Sequence, residues 1–322
     1  MGAAMLLSDE QVRAALEPVS LVPAMDALFR QLARGEAENL PRSAIRHSNG
    51  NILAVMTAVL RSQGVWGCKT AVFPGKDAVD TAQSTIQVFD LESGALRGIV
   101  SAQYITLART AACSAAATAA LAVPDASVLC LLGGGGQAVA HAVELCRVRP
   151  IREIRVWRRD RAACQAACRT ITAHTGVEAA PADDAESAVA GAHIVCTVTA
   201  SRTPVLRGEW LSPGTHVNAV GACGPIAREL ELSVLRRSRV YVDSLLSMPQ
   251  ATGDLLIPIQ EGSYSMAEIA GELGNVLTGT CPGRTPGDRE TITLFESCGL
   301  AMEDIGAALA ALQAAEGTPF PF

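Results

Sequence analysis

This chain of 322 residues is poor in aromatic side chains, in positive charge and in long apolar runs. Phe, Trp and Tyr together make up 4% of it, although 49% of its residues are hydrophobic. A core must therefore be built from Ala, Val, Leu and Ile, with small side chains letting elements approach closely. The formal charge is −6. That argues against nucleic acid as a partner, because such proteins usually present a basic face. No stretch is long and apolar enough to span a membrane, and residues 1–7 lack the basic start and apolar centre of a signal peptide. A cytoplasmic protein with no membrane partner is expected.

Metal and disulfide patterns are missing too. Ten cysteines are present, but no C-x-x-C pair occurs. Cys164 and Cys168 are four apart and would share one helix face. Cysteines set inside apolar or helical stretches are expected to be reduced core residues. The histidines, His47, His141, His174, His193 and His216, are scattered, with no H-E-x-x-H spacing, so no metal site is expected.

What the chain does contain is Ser127-Val128-Leu129-Cys130-Leu131-Leu132 followed by Gly133-Gly134-Gly135-Gly136-Gln137-Ala138. An apolar run of strand length stops at glycines, and a helix-like segment follows over 137–147. Strand, glycine turn and helix form the layout of a dinucleotide-binding fingerprint. Gly133 suits the tight turn, Gly135 lets backbone approach a pyrophosphate, and Ala138 is small enough for close helix–strand packing. The helix N-terminus, from Gln137, offers free N–H groups to phosphates. Taken alone, the glycines equally describe a flexible turn.

The surrounding pattern narrows that choice. Before the glycines, helices are expected over 9–16 and 21–35, with Ser8 and Gln11 forming a capping box. Strands follow over 43–47, 51–58, 67–73, 84–90 and 96–101, with a hairpin turn at Glu92-Ser93-Gly94. An alanine-rich helix is expected over 105–123. Beyond it, six short strands (127–132, 153–157, 177–180, 194–198, 216–220, 240–243) alternate with helices over 137–147, 161–174, 184–190 and 228–237. Strand–helix alternation of this kind implies a doubly wound parallel sheet. A last helix is expected over 300–315, and Pro319-Phe320-Pro321-Phe322 cannot continue it.

In such a sheet the end of the second strand meets the adenosine ribose. Here that strand ends Val156-Trp157-Arg158-Arg159-Asp160. Arginine there favours a 2′-phosphate, so NADP(H) is expected, with Arg158 and Arg159 as ligands. NAD(H) stays open, because Asp160 offers an acid for a free 2′-hydroxyl.

Nearly the whole chain resembles the ornithine cyclodeaminase/mu-crystallin family. The resemblance rests on Pro41-Arg42, Gly67-Cys68-Lys69 and Ile105-Thr106-Leu107-Ala108-Arg109-Thr110, then on the glycine run and Thr197-Val198-Thr199. It continues with Asn218-Ala219-Val220-Gly221-Ala222, Arg228-Glu229-Leu230 and the run from Leu294 through Ser297 and Gly299 to Glu303-Asp304. It implies an α/β protein in which a Rossmann-type doubly wound parallel sheet (113–299) is inserted into a mixed α+β substrate and dimerisation domain (1–112 with 300–322). It also implies a homodimer acting on small imine or amino-acid substrates.

By the same resemblance Arg42, Lys69 and Arg109 bind the substrate carboxylate, which suits the forked donors of arginine. Lys69 and Arg109 are the candidate catalytic residues, and Gln83 is expected to add a hydrogen bond. Thr110 is expected within reach of a cofactor phosphate. Thr197, Thr199, Val220 and Gly221, at the ends of strands, would line the nicotinamide crevice, with Ser297 beside it. One departure is informative. Family cyclodeaminases carry a general-base aspartate two residues after the glycine, where this chain has Cys223. Amine oxidation needs such a base, whereas reducing a protonated cyclic imine does not. The expectation is therefore an NADPH-dependent reductase of cyclic ketimine carboxylates. Ornithine cyclodeaminase, an alanine-type or N-alkyl amino acid dehydrogenase, and a non-catalytic binding protein are the alternatives.

Overall fold

The computed structural model describes residues 4–74 and 82–321. In chain order β1 (Ala4–Leu7), α1 (Asp9–Leu16), α2 (Val22–Ala33), β2 (Ala37–Asn39), β3 (Ser43–Arg46) and β4 (Ile52–Leu60) come first. They are followed by β5 (Val65–Phe73), β6 (Gln83–Asp90), β7 (Leu96–Ser101) and the long α3 (Gln103–Leu121). Next come β8 (Val128–Leu132), α4 (Gly136–Val148), β9 (Glu153–Trp157), α5 (Arg161–Thr175), β10 (Ala179–Pro181), α6 (Ala185–Val189) and β11 (Ile194–Thr197). Then follow β12 (His216–Ala219), α7 (Leu232–Arg237), β13 (Ser238–Val242), α8 (Gly253–Gln260), β14 (Ile269–Glu272), α9 (Leu273–Thr278) and β15 (Ile292–Glu296). The chain closes with α10 (Ala301–Ala314) and β16 (Thr318–Phe320). It divides into two compact units, Met1–Arg109 with Gly299–Phe322, and Thr110–Cys298. Among the described residues no helix is long and apolar enough to cross a membrane.

The first unit is a sheet in the order β16-β1-β7-β6-β5-β4-β2, with β3 also paired to β4. Its pairs are antiparallel except β1 with β7. Side chains alternate between faces. Met56, Ala58, Ala71, Ile86 and Val88 are buried on the face that α10 crosses. Gly67 and Gly98 leave room for α10: a Cβ at Gly67 would stand 3.1 Å from Ile305, and one at Gly98 2.6 Å from Leu312. The opposite face shows Ile45, Leu53, Trp66 and Val72, between 39% and 72% exposed, joined by the pairs Ile45–Leu53, Leu53–Val72 and Val59–Trp66. The Ser8–Gln11 capping box forms as the sequence predicts. The Pro-Phe tail does end the helix, and its residues return as β16 against β1, a pairing with no local signature.

The second unit is a wholly parallel sheet in the order β10-β9-β8-β11-β12-β15-β13-β14. From β8 the chain runs outward through β9 and β10, then returns to β11 on the other side. The switch in direction lies between β8 and β11, at their carboxyl ends, where open α/β sheets bind ligands. Two sequence expectations are corrected. A buried strand, β15, lies between β12 and β13, where no strand was expected. The expected helix over 228–237 begins only at Leu232. Asp254 Oδ1 takes the N–H groups of Glu229 and Leu230, and Leu230 bridges to Leu206, so these residues cannot join the helix.

Candidate functional site

In the first unit Lys69 and Arg109 meet two acids. Lys69 sits in β5 on the α10 face, directly opposite Met56 and Ile86. Its Nζ donates to Asp304 Oδ1 at 2.8 Å and to Thr106 Oγ1 at 2.7 Å. Arg109, one turn along α3 from Thr106, donates through Nε to Asp304 Oδ1 at 3.2 Å and through Nη1 to Glu303 Oε2. All four charged groups are buried. The acids are presented by the first turn of α10, which Asn39 fixes by accepting the Met302 N–H at 3.1 Å. Gly299 leaves room for the guanidinium: a Cβ there would lie 3.0 Å from Arg109 Nη1.

Burial pushes the Lys69 ammonium pKa down; Asp304 offsets part of this, while the charges of Arg109 and Arg42 lower it further. Lys69 and Arg109 thus meet on Asp304, and Arg42 bears on Lys69 through its charge. Burial pushes Asp304 up, but Arg109 and Lys69 outweigh it and hold the carboxyl below the usual range. Its Oδ2 remains buried without a hydrogen-bond partner. Gln83 is placed differently. It pairs with Val72, on the exposed face of the sheet rather than the Lys69 face.

Sequence reasoning gave Glu303 and Asp304 no role. The available signal was a pair of adjacent acids in an otherwise apolar helix. Acids in a first helical turn are ordinarily explained by the helix dipole, which hid it.

In the second unit the glycine run turns from β8 into α4. Gly133 adopts φ +126°, and a Cβ on it would come 2.6 Å from the Val198 carbonyl oxygen after β11. Gly135 caps α4, and the space beside its Cα is open. Gln137 lies in the first turn of α4, and Ala138 is fully buried against the sheet. Arg158 follows β9 and crosses the glycine turn, its Nη1 donating to the Gly134 carbonyl at 3.4 Å. Arg159 beside it is exposed. Asp160 is occupied as the N-cap of α5, accepting the Ala163 N–H at 3.0 Å. Thr110 is buried at the point where the second unit begins.

Thr197, Thr199, Val220, Gly221 and Ser297 cluster at the carboxyl ends of β11, β12 and β15. Ser297 N–H donates to the Ala219 carbonyl at 2.9 Å, and Gly221 N–H to that of Thr197 at 3.1 Å. Glu229, which sequence reasoning quoted without a role, ties this group together. Its Oε1 accepts the N–H and hydroxyl of Thr199, and its Oε2 accepts the Gly221 N–H at 2.8 Å. Cys223 is exposed and its thiol donates to the Val220 carbonyl at 3.4 Å.

An open glycine turn at a helix N-terminus, set at the switch point of a parallel sheet, fits a dinucleotide pyrophosphate. The sequence model of the ornithine cyclodeaminase/mu-crystallin family matches residues 3–318. The chain is 33% identical over 311 residues to ketimine reductase mu-crystallin of Mus musculus, covering 94% of each chain. It superposes on Δ1-pyrroline-2-carboxylate reductase of Thermococcus litoralis, solved with NADH and L-proline, with a TM-score of 0.91 at 29% identity. That match covers 96% of this chain and 97% of the other. An archaeal alanine dehydrogenase dimer with bound NAD gives a TM-score of 0.91 at 27% identity, with 99% of both chains covered.

Proposed function

The chain belongs to the ornithine cyclodeaminase/mu-crystallin family, and on that premise we propose that it reduces cyclic ketimine carboxylates with NADPH. It is a nicotinamide-dependent oxidoreductase acting on C=N or CH–NH bonds. The proposed substrates are Δ1-pyrroline-2-carboxylate and Δ1-piperideine-2-carboxylate, and the products proline and L-pipecolate. The observation that carries the reading is the buried cluster of Lys69, Arg109, Glu303 and Asp304 with the charge of Arg42 acting on it. Guanidinium donors match the geometry of a carboxylate, and in a buried setting their hydrogen bonds to it are strong.

A dinucleotide held at the glycine turn over 133–136 and by Arg158 would supply the hydride. Arg42 and Arg109 hold the carboxylate and so orient the adjacent C2. Lys69, whose proton burial has loosened, delivers a proton to the ring nitrogen as it becomes an amine. Asp304 keeps Lys69 charged until then. Cys223 stands where the cyclodeaminases carry their base, and this direction of reaction asks for no base there. NADPH in preference to NADH is supported by Arg158 and Arg159 after β9, and by the commitment of Asp160 to the α5 cap. The relative solved with NADH and L-proline binds a cofactor and a product of the proposed kind.

The apolar face carrying Ile45, Leu53, Trp66 and Val72 supports a homodimer, since exposed apolar patches of this kind mark protein interfaces. The deciding assay follows absorbance of the reduced cofactor while each cyclic imine is added in turn. Oxidation of NADPH by at least one of them is expected. No oxidation by either, with ammonia released from ornithine in the presence of NAD, would instead identify a cyclodeaminase. Oxidation only with pyruvate and ammonia would identify an alanine-type dehydrogenase.

A further inference from the structure

The second unit buries several carboxylates that the proposed chemistry does not use. Glu229 follows β12, Asp254 lies in the first turn of α8, and Glu296 ends β15. All are fully buried. They are connected in series. Glu296 Oε1 accepts the Thr252 hydroxyl at 2.5 Å, and Thr252 Oγ1 accepts the Asp254 N–H at 3.2 Å. Asp254 Oδ1 accepts the backbone N–H groups of Glu229 and Leu230 at 2.7 and 2.8 Å. The Glu229 carboxylate then accepts from Thr199 and Gly221. The fit at the far end is tight: a Cβ on Gly221 would lie 2.5 Å from Glu229 Oε1 and 2.2 Å from the Thr199 carbonyl oxygen.

Two oxygens in this chain of contacts, Asp254 Oδ2 and Glu296 Oε2, are buried with no hydrogen-bond partner. An ionised carboxylate only accepts, and leaving a buried charged acceptor empty costs more than an ordinary lost hydrogen bond. Protonation turns one acceptor into a donor. The surrounding groups favour that outcome. Glu296 faces Asp254, Glu229 and Asp243, all acids. Asp254 faces Glu229 and the opposing charge of Arg228, whose Nε donates to the Leu230 carbonyl. The thiol of Cys298 completes the surroundings; burial, with Asp243 and Glu296 beside it, pushes its pKa well up, so it adds no opposing charge.

We propose that Glu229, Asp254 and Glu296 are positioning residues, a latch held by a retained proton that sets the Gly221 and Thr199 backbone for the nicotinamide. This rests on the cofactor reading given above. Burial, reinforced by neighbouring acids, pushes Asp254 up to about 7 and Glu296 well above the usual carboxyl range. Loss of the proton leaves mutually repelling carboxylates under the turn, and Glu229 is then no longer fixed.

The test measures two quantities against pH in the intact protein: protection of the Gly221 and Thr199 amides from hydrogen exchange, corrected for intrinsic exchange, and NADPH affinity by fluorescence. In the wild type both should fall as pH rises past neutrality, affinity by about tenfold, the equivalent of one hydrogen bond to a charged group. Glu296→Gln keeps a donor without a titrating proton and should fall less steeply over that range, since of the two raised acids only Asp254 still titrates there. Because the cofactor's own titration is common to both proteins, the difference between them is the readout. A Gln variant that follows the wild-type curve, or wild-type amides whose protection does not change, overturns the latch. If Glu296→Gln fails to fold, the wild-type amide profile decides alone. Protection that falls with pH in a protein that binds no nicotinamide at any pH would uphold the latch and remove the cofactor reading.

Discussion

The two units bury acids by opposite means. In the first, Asp304 and Glu303 lie against Lys69 and Arg109, and cations compensate them. In the second, Asp254 and Glu296 lie deeply buried among other acids, and burial with that repulsion outweighs the donors around them and favours the protonated forms. The consequences for titration have opposite sign. Asp304 is held below its ordinary value although it is completely buried, whereas Asp254 and Glu296 are raised. Burial raises all three carboxyls, and the sign of the net shift follows from whether the neighbouring charges oppose that or add to it. The difference also separates roles. A cluster of fixed ion pairs suits capture of an anionic substrate, and a proton-compensated cluster suits holding backbone in place.

The largest effect should come from removing one side of the ion-pair cluster. Arg109→Ala leaves Glu303 without its guanidinium and Asp304 with half its compensation. Breaking a buried pair from one side typically costs about 3–5 kcal/mol. Urea unfolding should show a loss of that order, and kcat/KM for a cyclic imine should fall by roughly a thousandfold, the kinetic equivalent of about 4 kcal/mol. Near-normal turnover would remove Arg109 from the substrate site. Asp304→Asn asks a finer question. It deletes the charge that keeps Lys69 protonated, so the Lys69 pKa falls further. The alkaline limb of the pH–rate profile should then move to lower pH; an unmoved limb would show that Lys69 is not the proton donor.

The stability profiles should diverge next. Asp254 is raised from 3.8 to about 7 in the fold, so its stabilisation is complete below the unfolded value and is lost as pH climbs through the folded one. Asp304, being lowered, stabilises above its unfolded value and loses that contribution as pH falls. Unfolding measured against pH should show the first decline in the wild type and a shallower one in Glu296→Gln. Equal slopes would mean that the second cluster is not compensated by protons. Removal of Arg158 and Arg159 together should leave both clusters intact. It should raise the KM for NADPH by about tenfold to a hundredfold, the equivalent of roughly 1.5–3 kcal/mol for charged hydrogen bonds, and leave that for NADH nearly unchanged. Equal losses for both cofactors would return the ribose to Asp160.

How much of this the sequence reveals follows from distance along the chain. The glycine turn, the capping box at Ser8 and the alanine-rich α3 are local patterns, and each stands where periodicity and composition place it. Arg42, Lys69 and Arg109 were recognisable as a set by resemblance to a family. Glu303 and Asp304 were not assigned, because Lys69 and Asp304 lie 235 residues apart and nothing near Asp304 advertises a partner. β15 was missed for a related reason. Its five residues end in Glu296, and an acid at the end of a short run reads as a boundary with solvent. Only the sheet shows that this acid is interior. Gln83 carries the inverse lesson: the residue was named by resemblance, and strand parity puts it on the other face from Lys69.

The smallest change that still tests the contrast is at Thr252. Its hydroxyl donates to Glu296 Oε1 and accepts the Asp254 N–H, so it both links two acids and caps α8. Thr252→Ser preserves both bonds and loses one buried methyl, which should cost about 1 kcal/mol at every pH. Thr252→Val keeps the shape and removes both bonds, at about 1–2 kcal/mol for a lost cap and a lost donor. It should also strengthen the hold of Glu296 on its proton, because the donor that favours the charged form is gone. The loss in Thr252→Val should therefore grow as pH rises, where Glu296 needs that donor most. In the first cluster the nearest counterpart is Thr106, which accepts from Lys69. Thr106→Val removes an acceptor that favours the charged ammonium, so Lys69 should titrate at lower pH. Urea unfolding of the Thr252 variant and the pH–rate profile of the Thr106 variant should thus report the two modes of compensation separately. A Thr252→Val loss that is the same at every pH would mean that the hydroxyl only caps a helix.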